Sequence, residues 1–428
     1  MSPSLRPILL ALAPLFVSMG VLVLGNTLFG TLVSVRMDLE GVAVDHIGFI
    51  LAAYSVGFVG GTLACPPLVA KVGHIRAFAA FAALVSASAL VHALVVDEIL
   101  WGILRALTGF CAAFLFTISE SWLNAKAPNE VRGRVMSAYM TVYYLCSGSS
   151  QVLLILIDPA GFQLFAIVAI VISLSLVPLA LARVETPPDI QAERLSLRAL
   201  VNASPLGVAG CLGAGMIVGS FYAMGPVYAR GIEASGDFVG VFMLVAIISG
   251  FLLQYPAGRL SDRFDRRQVI VGLTLATAVA GLALGALGDH APWALWPLLT
   301  LYAGLSLTLY PISLSHANDY LQPSQLVPAS AGLLLCYGVG AMIGPVAAAF
   351  LMGRFSNDGL FYFIGAVGLA LALFGAWRMT RRQSLPAEEQ AAYVAVPQTT
   401  FMVSELDPRY EAVDDDQLSL DFDDMEHA

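Results

Sequence analysis

Residues Gln254 to Arg267 read QYPAGRLSDRFDRR, and the place of this stretch in the chain decides the fold. Asp262, Arg263, Asp265, Arg266 and Arg267 crowd between two long apolar runs that carry almost no charge. Charges so concentrated belong where a bilayer ends and water begins. The segment is therefore expected to leave one membrane helix at Gly258 and to turn into the next. Asp262 can accept hydrogen bonds from backbone N–H groups at a helix N-terminus, and the three arginines offer forked donors to carboxylates and helix C-termini. Such a cluster can latch two helices in one state and release them in another.

The rest of the chain agrees. Hydrophobic residues make up 58% of it, charged residues only 12%, and the mean hydropathy is +0.81, far from the range of soluble domains. Apolar runs long enough to cross a hydrocarbon core of roughly 30 Å fall at 7–34, 47–69, 77–96, 99–124, 133–157, 161–182, 205–229, 238–257, 268–288, 293–318, 329–352 and 359–378. The chain is thus an all-α integral membrane protein with twelve spans. The first run is too long for a signal-peptide core and reads as an uncleaved span. With the N-terminus inside, 17 of the 21 Lys and Arg residues fall on the cytoplasmic side, while Arg36, Arg230 and Arg354 fall outside and Arg105 lies within a span. That bias places both termini in the cytoplasm.

Residues 183–204, with Pro187 and Pro188, are the long polar interruption between two six-span bundles, 1–182 and 205–380. The halves echo each other. TISESWLN (Thr117 to Asn124) aligns with PISLSHAN (Pro311 to Asn318) at an offset of 194, and AKVGHIR (Ala70 to Arg76) precedes the SDRFDRR segment by 192 residues. Lys71, Gly73 and Arg76 form a reduced version of the latch. Repeated halves with a site between them are the architecture of alternating access.

The charged loop resembles the G-x-x-x-D-R-x-G-R-R loop of the major facilitator superfamily, with Asp265 where that pattern has its second glycine. Together with GHIRAFAA (Gly73 to Ala80), ESWLN (Glu120 to Asn124) and RGR (Arg132 to Arg134), it is similar to the bacterial YcaD-type branch. The resemblance covers residues 1 to about 380. It implies two pseudo-symmetric six-helix bundles in a bacterial inner membrane, a carrier functional as a monomer, and a branch without an agreed substrate. RALTGF (Arg105 to Phe110) resembles the superfamily's R-x-x-x-G signature of the fourth helix, which is associated with proton coupling.

Several polar residues fall within spans. An arginine at the depth of Arg105 costs about 2.5 to 3.5 kcal/mol on insertion scales, so it either faces a polar cavity or snorkels to the surface. Glu120 either carries a proton in a partly dry cavity or pairs with Lys126, Arg132 or Arg134 at the interface. His316 is a third coupling candidate, the alternative being a satisfied polar contact. Asn26, Gln151 and Gln254 could bond a solute or a neighbouring helix. Tyr143, Tyr144, Tyr222, Tyr310 and Tyr337 put phenols inside spans, with Tyr144 and Tyr337 corresponding across the repeat at an offset of 193. They would suit a sugar ring or an amphipathic solute, or they pack the core. Gly340-x-x-x-Gly344-Pro345 reads as a helix-packing and bending element.

From Gln383 onward there are 12 acids and one base, so the overall charge of −9 belongs to the tail. Residues 381–428 are expected to form a disordered acidic cytoplasmic tail. The composition gives no nucleic-acid footprint. Cys65, Cys111, Cys146, Cys211 and Cys336 all fall in apolar runs, which speaks against disulfides and a metal site. No cofactor is implied. No phosphate loop, nucleophile elbow or HExxH occurs, so the expectation is not an enzyme. It is a secondary transporter of a small organic solute, coupled to protons, with Arg105, Glu120 and His316 as coupling candidates. Drug or metabolite export and sugar-type import both stay open. A transporter-shaped sensor signalling through the tail is the rival class.

Overall fold

The computed structural model describes residues 5–127, 131–181, 195–288, 291–381 and 390–402. The side chain of Arg6, Arg183, Arg194, Arg382, Arg409, most of the linker and the acidic run after Met402 lie outside the described residues. Among the described residues every regular element is a helix. The first half holds α1 (Leu5–Leu39), α2 (Val44–Val72), α3 (His74–Leu94), α4 (Glu98–Lys126), α5 (Arg132–Leu156) and α6 (Gln163–Leu181). A short α7 (Leu197–Ala203) leads into the second half: α8 (Pro205–Ile232), α9 (Gly236–Arg263), α10 (Arg266–Leu287), α11 (Pro292–Ser306), α12 (Leu309–Asn318), α13 (Leu326–Arg354) and α14 (Gly359–Met379). Twelve stretches are long and apolar enough to span a membrane, with α11 and α12 together forming the tenth.

Each helix must satisfy its own backbone in lipid, and the breaks show how. Asp97, Ser204, Ser235 and Asp265 cap the N-termini of α4, α8, α9 and α10 with their side chains. The tenth span is broken at Leu307 and Thr308. Pro311 has no N–H to give the Leu307 carbonyl four residues back, and Gln254 Nε2 donates to that oxygen instead at 3.4 Å. Between α2 and α3 the chain reverses at Gly73, whose φ of +89° suits glycine.

The expected helix exit at Gly258 does not occur. α9 runs on to Arg263, and Asp265 caps α10 immediately afterwards. Both helices project past the apolar zone, so the charged residues sit on helix ends rather than in a loop.

Backbones approach closely where glycine permits. A Cβ at Gly57 or Gly109 would overlap the carbonyl of Ala106 or Tyr54, which seats α2 on α4. Gly340 and Gly344 do the same for α13 against α8. Large apolar side chains such as Ile99, Leu156, Leu181, Val279 and Leu373 stay exposed on the outside, where lipid replaces water.

The chain crosses from the face bearing the tail, the terminal face, to the opposite or far face and back. Near the far face the halves are joined. Arg230 Nε meets Asp38 Oδ2 at 2.5 Å, Ser34 donates to the Ala223 carbonyl at 2.7 Å, and a Cβ at Gly48 would stand 2.8 Å from the Pro345 carbonyl oxygen.

Toward the terminal face the gap between the halves is filled by residues 390–402. Disorder was expected there, yet Val396, Thr399, Thr400, Phe401 and Met402 are buried. Averaged over the acid-rich tail, the composition concealed an uncharged, partly apolar segment that can be buried at low desolvation cost.

Candidate functional site

Between the halves lies a cavity of about 230 Å³. α1, α2, α4 and α5 wall it on one side, α8 and α13 on the other, and the tail closes it with Gln398 and Thr399. At about 1.5 Å per residue, Arg105 stands roughly 10 Å along α4 from its far end. It does not snorkel, because it is only 6% exposed and lines the cavity. Its guanidinium lies 4.7 Å from the Tyr54 ring centroid and 5.8 Å from that of Phe29. Tyr54 in turn donates to Asn26 Oδ1 at 3.3 Å. Among the described residues no carboxylate pairs with Arg105, and its Nε is buried without a hydrogen-bond partner.

Of the other candidates, Asn26, Tyr143, Tyr222 and Tyr337 line the same cavity. Tyr144 does not: its hydroxyl accepts from Gln254 Nε2 at 3.0 Å, which ties α5 to α9 across the halves. The expected facing of Tyr144 and Tyr337 across the pocket is therefore not observed: the neighbouring Tyr143 on α5 takes the place on the wall, and Tyr144 turns toward α9. Tyr310 packs edge-on against Tyr337, with centroids 5.2 Å apart, behind the wall. Gln151 is fully buried in α5, where its Nε2 donates to Ser150 Oγ at 2.9 Å. His316 packs against the Tyr320 ring at 5.2 Å in the second half, and it too does not line the cavity.

Glu120 is completely buried near the terminal end of α4. One carboxylate oxygen accepts from Tyr139 at 2.7 Å and from Thr399, and the other accepts from Thr400. Three hydroxyl donors satisfy this buried acid, with no ion pair to it among the described residues, and two of them come from the tail.

The charged junction of α9 and α10 is organised by Arg266, whose side chain is 1% exposed. Nη1 meets Asp319 Oδ2 at 2.5 Å, Nε donates to Ser261 at 2.8 Å, Nη2 donates to the Ala391 carbonyl at 2.6 Å, and Asp262 lies 3.6 Å from Nη2. Asp262 accepts the backbone N–H of Tyr393 at 2.7 Å. Arg267 pairs with Asp265 at 2.7 Å. Burial would raise the Asp265 pKa, but the donors of Arg267, side chain and backbone, outweigh it and hold the carboxyl below its ordinary value. Burial, followed by Tyr144 and Asp262, holds the Tyr393 phenol well above its usual range, so it stays a donor. Gly258 sits beneath the Tyr393 ring. Arg263, Lys71 and Arg76 are exposed, and Gly73 forms the turn beside them. The latch residues of the two halves are thus not drawn into one cluster here.

Sequence reasoning passed over Tyr54, Tyr139, Asp319 and the whole of residues 390–402. Asp319 carried a signal, as a lone acid directly after the tenth span.

The sequence matches the family model described as the Major Facilitator Superfamily over residues 15–305 and 232–396. It is 29% identical over 378 residues to the uncharacterized MFS-type transporter YcaD of Shigella flexneri serotype 5b and to that of Escherichia coli O139:H28, covering 87% of this chain and 96% of each relative. The fold is similar to the crystal structure of the nucleoside transporter NupG, with a TM-score of 0.71, 14% identity, and 87% of this chain and 100% of that one covered. It also resembles a bacterial homolog of the human lysosomal transporter Spinster in an inward-facing and unoccupied conformation, with a TM-score of 0.63, 13% identity, and 96% and 100% covered.

Proposed function

The chain belongs to the major facilitator superfamily, and on that premise we propose that it moves a small organic solute by alternating access, coupled to protons. One observation carries the reading: Arg105 is buried in the cavity between the halves with no carboxylate partner among the described residues. A cation kept at such depth at a cost of kilocalories implies a ligand that completes it. The solute therefore presents an acceptor, a carboxylate or a polarised carbonyl, to the guanidinium fork. Tyr143, Tyr222 and Tyr337 supply flat walls and hydroxyls around its body. Nucleosides, named for the structural neighbour NupG, belong in the first panel of solutes alongside organic anions.

Glu120 is the coupling acid in this reading. Three hydroxyls donate to its carboxylate, and two of them, from Thr399 and Thr400, leave with the tail, which opens the acid to proton exchange with water. Rocking of the halves would exchange far-face contacts such as Arg230–Asp38 for closure around Asp262 and its arginines on the terminal face. That face is cytoplasmic by the distribution of basic residues, in an inner membrane.

The test is reconstitution into vesicles with an imposed pH gradient, following internal pH while solutes are added. Wild type should show solute-dependent proton movement that Arg105→Met lacks. Equal rates for wild type and Arg105→Met would remove the basis of the proposal.

The buried course of the tail favours one second reading, a sensor that couples cavity occupancy to its C-terminus. Removing residues 383–428 separates the two, since a carrier keeps its flux and a sensor loses its output.

A further inference from the structure

We infer that the terminal-face half of the pathway is a docking groove for the chain's own residues 390–402, which act as a tethered plug. The autoinhibitory consequence rests on the transporter reading above; the docking itself does not.

The segment is held along its length and by both halves. At its start Ala391 N–H donates to Asp319 Oδ1 at 3.3 Å, and its carbonyl accepts from Arg266 at 2.6 Å. Tyr393 gives its N–H to Asp262 and its hydroxyl to Gln254 Oε1 at 2.5 Å. All four partners lie in the second half. Further on, Thr399 and Thr400 donate to Glu120, and the Met402 carbonyl accepts from the Asn124 amide. These partners lie on α4 of the first half. Phe401 and Met402 are buried beside them.

Residues 391–398 make no helix or strand, and the side chains of Asp319, Arg266 and Asp262 take up backbone groups of Ala391 and Tyr393. A Cβ at Gly258 would overlap the Tyr393 ring, so that ring lies directly on the α9 backbone. The 15 residues from Gln390 to Ser404 carry no charge, between Glu389 and Glu405. An uncharged insert between acids is what can enter a buried vestibule while its flanks stay in water.

Two consequences follow. Gln398 and Thr399 line the same cavity as Arg105, so plug and solute compete for space, and by linkage solute binding loosens the plug as much as the plug weakens solute binding. Because the segment bridges both halves, it must also leave before the terminal face can close. The docked chain is a resting carrier, and release of the tail starts the cycle.

The test needs no substrate. Gly30 lines the cavity, and a Cβ there meets nothing within 4 Å. Gly30→Cys can therefore report access of a water-soluble maleimide from the terminal face. With the chain stopped after Glu389, labelling should be at least about tenfold faster than in the full chain, the scale set by removing a contact set of about 1.4 kcal/mol. Equal rates would overturn the plug. As a check independent of truncation, Gly258→Cys with Tyr393→Cys in the full chain should form a disulfide under oxidation, slow the labelling further, and release it on reduction. Failure to form that disulfide would overturn the docking. If labelling responds as described but no solute is carried in the vesicle assay, the plug stands and the transporter reading falls.

Discussion

Consider Arg105→Met. Methionine keeps the length and apolar stem of arginine but removes the cation. On insertion scales an arginine this deep costs about 2.5 to 3.5 kcal/mol, and contacts such as those with Tyr54 at 4.7 Å and Phe29 at 5.8 Å return about 0.5 to 2 kcal/mol. Roughly 0.5 to 3 kcal/mol is therefore not recovered within the fold. The unfolded helix in a micelle bears part of the same cost, so the gain from removing the charge should be about 0.5 to 1.5 kcal/mol. The variant is expected to unfold at a higher temperature than wild type, measured by tryptophan fluorescence in detergent, and to lose solute-dependent proton movement in vesicles. A structural arginine would behave the other way. If Arg105→Met lowers the unfolding midpoint while transport survives, the cation is serving the fold and the reasoning fails.

Other variants probe the surrounding structure. Arg266→Ala removes the buried guanidinium opposite Asp319 and should cost about 3 to 5 kcal/mol, read as a lowered unfolding midpoint; the double change Arg266→Met with Asp319→Leu should recover most of it. Gly109→Ala drives a Cβ into the Tyr54 carbonyl and should destabilise by about 1 to 3 kcal/mol, visible in the same melt. Asp262→Asn keeps an acceptor for the Tyr393 N–H but loses its charge opposite Arg266; membrane insertion should be unchanged and the vesicle transport rate reduced, and an unaltered rate would count against the latch.

How much of this was legible beforehand depends on the physical scale of each feature. Twelve spans follow from hydropathy because crossing lipid is a local requirement on each stretch. Span ends were less legible. α9 continues to Arg263 where the charges were expected to end it, since a helix can project into water as readily as a loop. Arg105 stood out because a charge in a span is expensive wherever it points. The partners of Arg105 and Glu120 did not, since Tyr54, Tyr139 and Thr399 come from distant parts of the chain and look ordinary where they stand. The tyrosine assignments divided for the same reason: Tyr143 and Tyr337 reach the cavity while Tyr144 and Tyr310 turn away, a difference of helix rotation that one sequence does not carry. The burial of residues 390–402 was hidden because the acids on either side dominate the average, although the uncharged run from Gln390 to Ser404 is visible in the sequence.

The central claim is that two bundles rock around one cavity. Spin labels at exposed Lys71 and Arg263 report the terminal face, and labels at exposed Val96 and Trp293 report the far face. With the chain stopped after Glu389, pulsed dipolar distances across a change of pH and solute should shorten on the terminal face as they lengthen on the far face. Distances that stay fixed on both faces, or move together, would contradict the account.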